Sequence, residues 1–242
     1  MTKYILTIVV FFTIISFAKS QAVVLEEDVN VDTLESKKGP NLKNFAHLYF
    51  EFGFNVFPQE TGAEINPVKS NILKLGYKYK YKICNFYALG FDIHYLNSSF
   101  NLAQNTSKLL PDSIMHDNEN IIINNLGFEF YNRFNFGRRG NMIGKYMDIG
   151  AFGTFIFNKK HQSVDKSNDP NIAMGHKQEI VNTGLIYVQS YSYGVNARVG
   201  INRYALTASY RLSDIFKTES ESFTFNYPEL PRLYIGLQIG LF

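Results

Sequence analysis

From about residue 45 onward the chain alternates between apolar positions and polar or small ones with a period of two. In the stretch 69–83, Leu73, Leu75, Tyr77, Tyr79, Tyr81 and Ile83 share one face, and Lys74, Gly76, Lys78, Lys80 and Lys82 share the other. The stretch 86–96 sets Tyr87, Leu89, Phe91, Ile93 and Tyr95 against Ala88, Gly90, Asp92 and His94, and 46–57 sets Leu48, Phe50, Phe52, Phe54 and Val56 against Tyr49, Glu51, Gly53 and Asn55. The stretch 231–242 sets Leu233, Ile235, Leu237, Ile239 and Leu241 against Tyr234, Gly236, Gln238, Gly240 and Phe242. Successive side chains of a strand point to opposite faces, so this period predicts strands. Further segments at 120–136, 144–158, 185–199 and 203–213 bring the expected number to about eight.

The separators sharpen the picture. They run long, short, long, short, long, short, long: 58–68, 84–85, 97–119, 137–143, 159–184, 200–202 and 214–230. Outer-membrane barrels have an even number of antiparallel strands, tight periplasmic turns and long outer loops. The expected fold class is therefore all-β: a single closed antiparallel transmembrane β-barrel of about eight strands with the N- and C-termini periplasmic. Eight strands enclose an interior just wide enough to be filled by side chains. Large aromatics on every strand would overfill it, so the apolar face is expected to point outward into lipid. Gly53, Gly76, Gly90, Gly127, Gly194, Gly236 and Gly240 then face the crowded lumen.

Composition fits this reading. The 242 residues contain 22 Phe, 16 Tyr and no Trp, residues suited to strands and to membrane interfaces. A formal net charge of +3 leaves no basic stripe for nucleic acid. The single cysteine, Cys84, has no partner for an internal disulfide and no zinc spacing around it. Lys3, the apolar run 4–17 and Ala18-Lys19-Ser20 read as a cleaved signal peptide over 1–20. A polar periplasmic leader is expected over 21–44, and the barrel domain over 45–242.

With these strand phases the lumen receives Glu51, Asp92, Glu129 and Asp148 together with Lys74, Lys78, Lys80, Arg133, Arg198, Arg203 and Arg211, and His94 beside Asp92. Charges buried there are tolerable only when paired, so a plugging ion network is expected. Asp92 and His94 form the minimum pair for acid/base catalysis, but no nucleophile is fixed beside them, and the chain is read as no enzyme. Neither a metal nor a cofactor is expected: the histidines lack metal spacing, and Asp165-x-Ser167-x-Asp169 lacks the glycine and distal glutamate of a calcium loop. Asp32-Thr-Leu34 and Asp112-Ser-Ile114 resemble a short Asp-Ser/Thr-aliphatic acceptor for O-glycans.

The signal segment, the polar leader, the alternating strands with a Tyr/Phe face lacking Trp, and the closing Gly240-Leu241-Phe242 together resemble the small outer-membrane β-barrel proteins of Bacteroidetes-type bacteria, the porin-like family that includes the PorT-type barrel of secretion and gliding machinery. The resemblance covers 45–242. It implies an outer-membrane location, contact with outer-membrane lipid and the barrel-assembly machinery, and Phe242 as an assembly signal, although Gly240 stands where that signal usually has an aromatic or aliphatic residue. The expected function is a structural or partner-binding component engaging a periplasmic or secretion-complex protein. A narrow porin for small solutes and, behind it, a barrel-type hydrolase are the alternatives.

Overall fold

The computed structural model describes residues 38–137, 140–167, 176–220, 223–224 and 226–242. The expected signal peptide, the leader up to residue 37, the Asp32-Thr-Leu34 acceptor and Asp169 lie outside the described residues. Among the described residues there is no helix. The strands are β1 (Asn44–Phe57), β2 (Asn71–Lys82), β3 (Tyr87–Asn101), β4 (Asn118–Phe136), β5 (Lys145–Ser167), β6 (His176–Thr183), β7 (Tyr191–Ile201), β8 (Tyr204–Arg211), the two-residue β9 (Glu219–Ser220) and β10 (Phe223–Thr224), and β11 (Leu233–Leu241).

Nine of these form one antiparallel sheet that closes in a ring. β1 pairs with β2 on one side and β11 on the other, and the circuit runs β1-β2-β3-β4-β5-β7-β8-β11. β6 stands outside it, pairing only with the far end of β5, from Lys160↔Thr183 to Ser167↔His176. Closure removes the unpaired edges that an open sheet would present. The short connections after β2, β4 and β7 mark one end of the ring, here the inner end. Residues 38–43 and Phe242 also lie there, since Leu48 pairs with Leu241.

All eight expected strands are present, and the boundaries differ where long connections were expected. The segment 159–184 is largely a hairpin, because β5 runs on past Phe155, its last partner on β7, and folds back as β6. Residues 185–190, expected to open a strand, pack into a loop core, and β7 starts at Tyr191. The register shifts at Asn124/Asn125, where β4, still paired with β3, and β5 run on together past the last β5–β7 pair. A bulge of this kind bends a strand and re-aims its side chains, and Ile123, Asn124 and Asn125 are all buried there.

The ring is apolar outside and charged inside. Leu48, Phe130, Tyr191 and Leu206 are 57%, 65%, 70% and 60% exposed, whereas Glu51, Lys78, Asp92 and Glu129 are all at 0%. Three layers fill the interior. At the outer end, Ala63, Ile65, Leu102, Leu110, Leu185, Val188, Ile215, Phe216 and Leu230 from the connections pack on Phe100, Ile121, Ile123 and Ile156 from the strands. A charged belt occupies the middle, and Phe45, Ile143, Tyr146 and Ala205 close the inner end.

Candidate functional site

The belt is set by strand register. Asp148 of β5 lies opposite Arg133 of β4 and Arg198 of β7, Lys78 of β2 opposite Asp92 of β3, and Glu51 of β1 opposite Lys74 of β2. Period two sends each of these inward, and short inner turns keep them at one height. Arg133 donates from Nε and Nη2 to Asp148 Oδ1 and Oδ2 at 2.7 and 2.8 Å, the bidentate fork that suits a guanidinium to a carboxylate. Arg198 bridges, donating to Glu129 at 3.0 and 2.5 Å and to Asp148 at 3.3 Å. Lys74 lies 3.8 Å from Glu129, and Lys78 lies 3.9 Å from Asp92 while donating to Gln238 at 2.8 Å.

Aromatic faces complete the packing. The Arg133 guanidinium sits 3.9 Å from the Tyr146 ring centroid, and Lys78 Nζ 4.6 Å from that of Tyr49. Formal charges balance: Lys74, Lys78, Arg133 and Arg198 supply four positive charges, and Glu51, Asp92, Glu129 and Asp148 four negative ones. The belt is therefore neutral, and Glu51 joins it not through a base but through Thr207 Oγ1, which donates to Glu51 Oε1 at 2.8 Å.

Asp92 and His94 do meet. His94 Nδ1 lies 2.7 Å from Asp92 Oδ1, which also accepts from Tyr49 Oη at 3.0 Å. Both residues are buried, and a Cβ added at Gly127 would strike the His94 ring. The pair is an internal hydrogen-bonded unit, with Asp92 at 0% and His94 at 2% exposure.

Of the residues expected in the lumen, Glu51, Lys74, Lys78, Asp92, His94, Glu129, Arg133, Asp148 and Arg198 converge in the belt. Lys80 is buried lower, where it donates to the Pro40 carbonyl. Arg211 is buried at the outer end, paired with Glu229 at 2.8 Å and donating to the carbonyls of Ser213 and Leu230. Arg203 is the correction: it is exposed, in the tight turn between β7 and β8, with its guanidinium 5.0 Å from the Phe242 ring. The turn ends the alternation at Ile201, so a phase carried on to 203 has no strand to act on.

Sequence reasoning missed a second polar centre at the outer end. Glu119 accepts from Lys108 Nζ at 2.5 Å and meets His161 Nε2 at 2.7 Å, and all three are buried. Asp112, His116 and Glu119 bring ligand atoms within 4.8 Å of one another. The Lys108 ammonium, 3.6 Å from Asp112 and bonded to the Ile114 carbonyl, already takes the cation's place there. His161 and Lys108 fall in stretches that read as connections, where no period exposes a partner.

Between belt and outer core lies a cavity of about 60 Å³ bordered by Asn55, Asn125, Ser98, Thr154, Ser192 and Arg211, room for about four waters. Asn55 Nδ2 and Asn125 Oδ1 have no hydrogen-bond partner among the described residues.

No family model matches the chain, and no curated protein matches it. What the site can do must therefore be read from its own geometry.

Proposed function

We propose that the chain is an eight-stranded outer-membrane β-barrel with a closed, non-conducting interior, serving as a structural or partner-binding component of the cell envelope. The observation that carries this is the sidedness of the ring. On the outward faces of its eight strands, Ala46 to Phe54, Leu73 to Tyr81, Leu89 to Tyr95, Leu126 to Phe134, Met147 to Phe155, Tyr191 to Val199, Leu206 to Tyr210 and Ile235 to Leu241 present no charged side chain. Water would penalise such a surface, since exposed apolar patches on soluble monomers rarely exceed a few hundred Å². A bilayer rewards it, because a closed sheet satisfies its own backbone where no water can.

The belt and the outer apolar layer favour a scaffold over a porin. Asp92, Glu129 and Asp148 pair with Lys74, Lys78, Arg133 and Arg198, Glu51 accepts from Thr207, and thirteen buried apolar residues cap the interior. A solute would have to break a buried ion pair, at about 3–5 kcal/mol, and open the cap. The outer connections, held together by that cap, provide a fixed surface for a partner protein.

Two measurements test this reading. Leu237, which pairs with Phe52 and Leu206 near the middle of the apolar band, is replaced by Arg. In a bilayer this costs about 2–4 kcal/mol, so Leu237→Arg should lower the yield of folded, vesicle-inserted protein; an unchanged yield refutes the membrane location. Planar-bilayer recordings of the inserted protein should show no steady openings, and a stable conductance would favour the porin.

A further inference from the structure

We infer that the inner end of the ring carries a binding site for the headgroup of an anionic phospholipid, built from Arg203 and Lys145 beside the groove between the β4–β5 and β7–β8 connections. The inference rests on the membrane reading above and adds a ligand class to it. Its first support is the charge of this end. Its described segments 38–47, 79–90, 140–147 and 199–206 carry Lys38, Lys43, Lys80, Lys82, Lys145 and Arg203, and no Asp or Glu. The acids of the ring begin only with the belt, where each has an inward partner.

The second support is a groove of about 770 Å³ whose lining includes Met142, Ile143, Ile201, Tyr204 and Phe242 together with Arg203. Met142, Ile201 and Tyr204 are 57%, 55% and 60% exposed, which suits an acyl chain continuing down the apolar band. Lys145 pairs in register with Ile201 on the same outward face, within reach of the same headgroup. Neither Arg203 nor Lys145 makes an ion pair with a described residue. Arg203 is stacked against the Phe242 ring, and a stacked guanidinium keeps its N–H edges for a phosphate. The frame is fixed: Asn202 N donates to the Gly144 carbonyl at 2.9 Å, and Gly144 N donates to Asn202 Oδ1 at 3.0 Å. Asn202 and Gly144 both adopt positive φ, 53° and 73°, which lets the two turns interlock.

Each cationic side chain near an anionic lipid surface contributes about fivefold in affinity (about 1 kcal/mol). The test uses the full chain in neutral detergent, titrated with phosphatidylglycerol or phosphatidylcholine, with retained lipid counted by native mass spectrometry. Insertion into pure phosphatidylcholine vesicles is measured in parallel. The expected result is preferential retention of phosphatidylglycerol, reduced about fivefold by Arg203→Gln and about fivefold by Lys145→Gln, with insertion unchanged in both variants. Equal retention of the two lipids by an inserting wild type overturns the site and leaves the membrane reading standing. A preference that both variants retain overturns it as well. Arg203-dependent binding of a poly-glutamate peptide without any lipid preference would overturn it in favour of an acidic protein partner. Failure to insert in any lipid removes the membrane reading and this site with it.

Discussion

Replacing Asp148 by Asn tests whether the belt is a desolvated ion network. Asp148 is the only carboxylate within bonding distance of Arg133 among the described residues, and it gives Arg198 a third contact. Arg198 keeps Glu129, so its loss is partial. Arg133 keeps one neutral amide acceptor and the faces of Tyr131 and Tyr146 but loses its counter-charge, and the belt changes from four acids against four bases to three against four. Leaving a buried charge without its partner costs about 3–5 kcal/mol. With an m-value of about 2 kcal/mol/M in urea, the unfolding midpoint should fall by about 1.5–2.5 M. The chain has no Trp, so far-UV circular dichroism of protein folded in detergent or vesicles is the signal. The control is Arg133→Met with Asp148→Leu, which removes the pair as a unit; well-packed apolar replacements of a buried pair are often neutral. The double variant should therefore be more stable than Asp148→Asn by at least about 2 kcal/mol. If Asp148→Asn unfolds at the wild-type concentration of urea, the belt is hydrated and the plug argument fails.

Other outcomes follow from single contacts. Gly90→Ala drives a methyl group into the Tyr131 ring and the Tyr79 carbonyl oxygen, and overpacking of this kind costs about 1–3 kcal/mol; Gly153→Ala, on the outward face with no atom within 4 Å, should leave the urea midpoint unchanged. Glu119→Gln takes the carboxylate from Lys108 and His161, so trypsin should cut after Lys108 in the variant while sparing the wild type under the same digestion. Hydrogen bonds from Asn105 and Ser107 hold the Glu64 carboxyl below its ordinary range, so its folded form favours the ionised state. That stabilisation is present above the ordinary carboxylate pKa and fades as pH falls through the lowered one. The 58–70 and 102–117 connections should therefore become more susceptible to an acid protease below about pH 4, by a small factor because Glu64 is solvated, and Glu64→Gln should remove the Glu64 share of that change while leaving the share of Glu119, which holds Lys108.

Which features could be read from sequence depended on whether period two applied. Inside the strands, alternation alone assigned Glu51, Lys78, Asp92, Glu129, Arg133, Asp148 and Arg198 to one face, and the structure buries all seven. Pairing within the belt was only half legible. Arg133 and Asp148 are neighbours because a short inner turn fixes their register, but Arg198 of β7 reaches past β5 to Glu129 of β4, and a period cannot measure that distance. Arg203 shows the limit: one residue past a strand end, the phase says nothing. The outer cap was illegible for the same reason. Ala63, Leu110, Leu185, Val188, Ile215 and Leu230 have no shared period, and a loop core is defined by which apolar side chains meet after the strands are placed.

The cap also bears on why the interior is built in two materials. Salt bridges alone would leave an eight-stranded interior open to water at its outer end, and water screens the pairs that close it. Apolar residues alone would have to replace Glu51, Lys78, Asp92, Glu129, Arg133, Asp148 and Arg198, which the strand phase turns inward. Placing the thirteen-residue apolar cap above the belt keeps water from the carboxylates and guanidiniums, which strengthens each pair at the cost of demanding that every charge have a partner. The two layers are thus coupled. Weakening the cap through Glu119 should loosen the belt, so Glu119→Gln and Asp148→Asn should destabilise together by less than the sum of their separate effects. Strict additivity would mean that cap and belt close the ring independently.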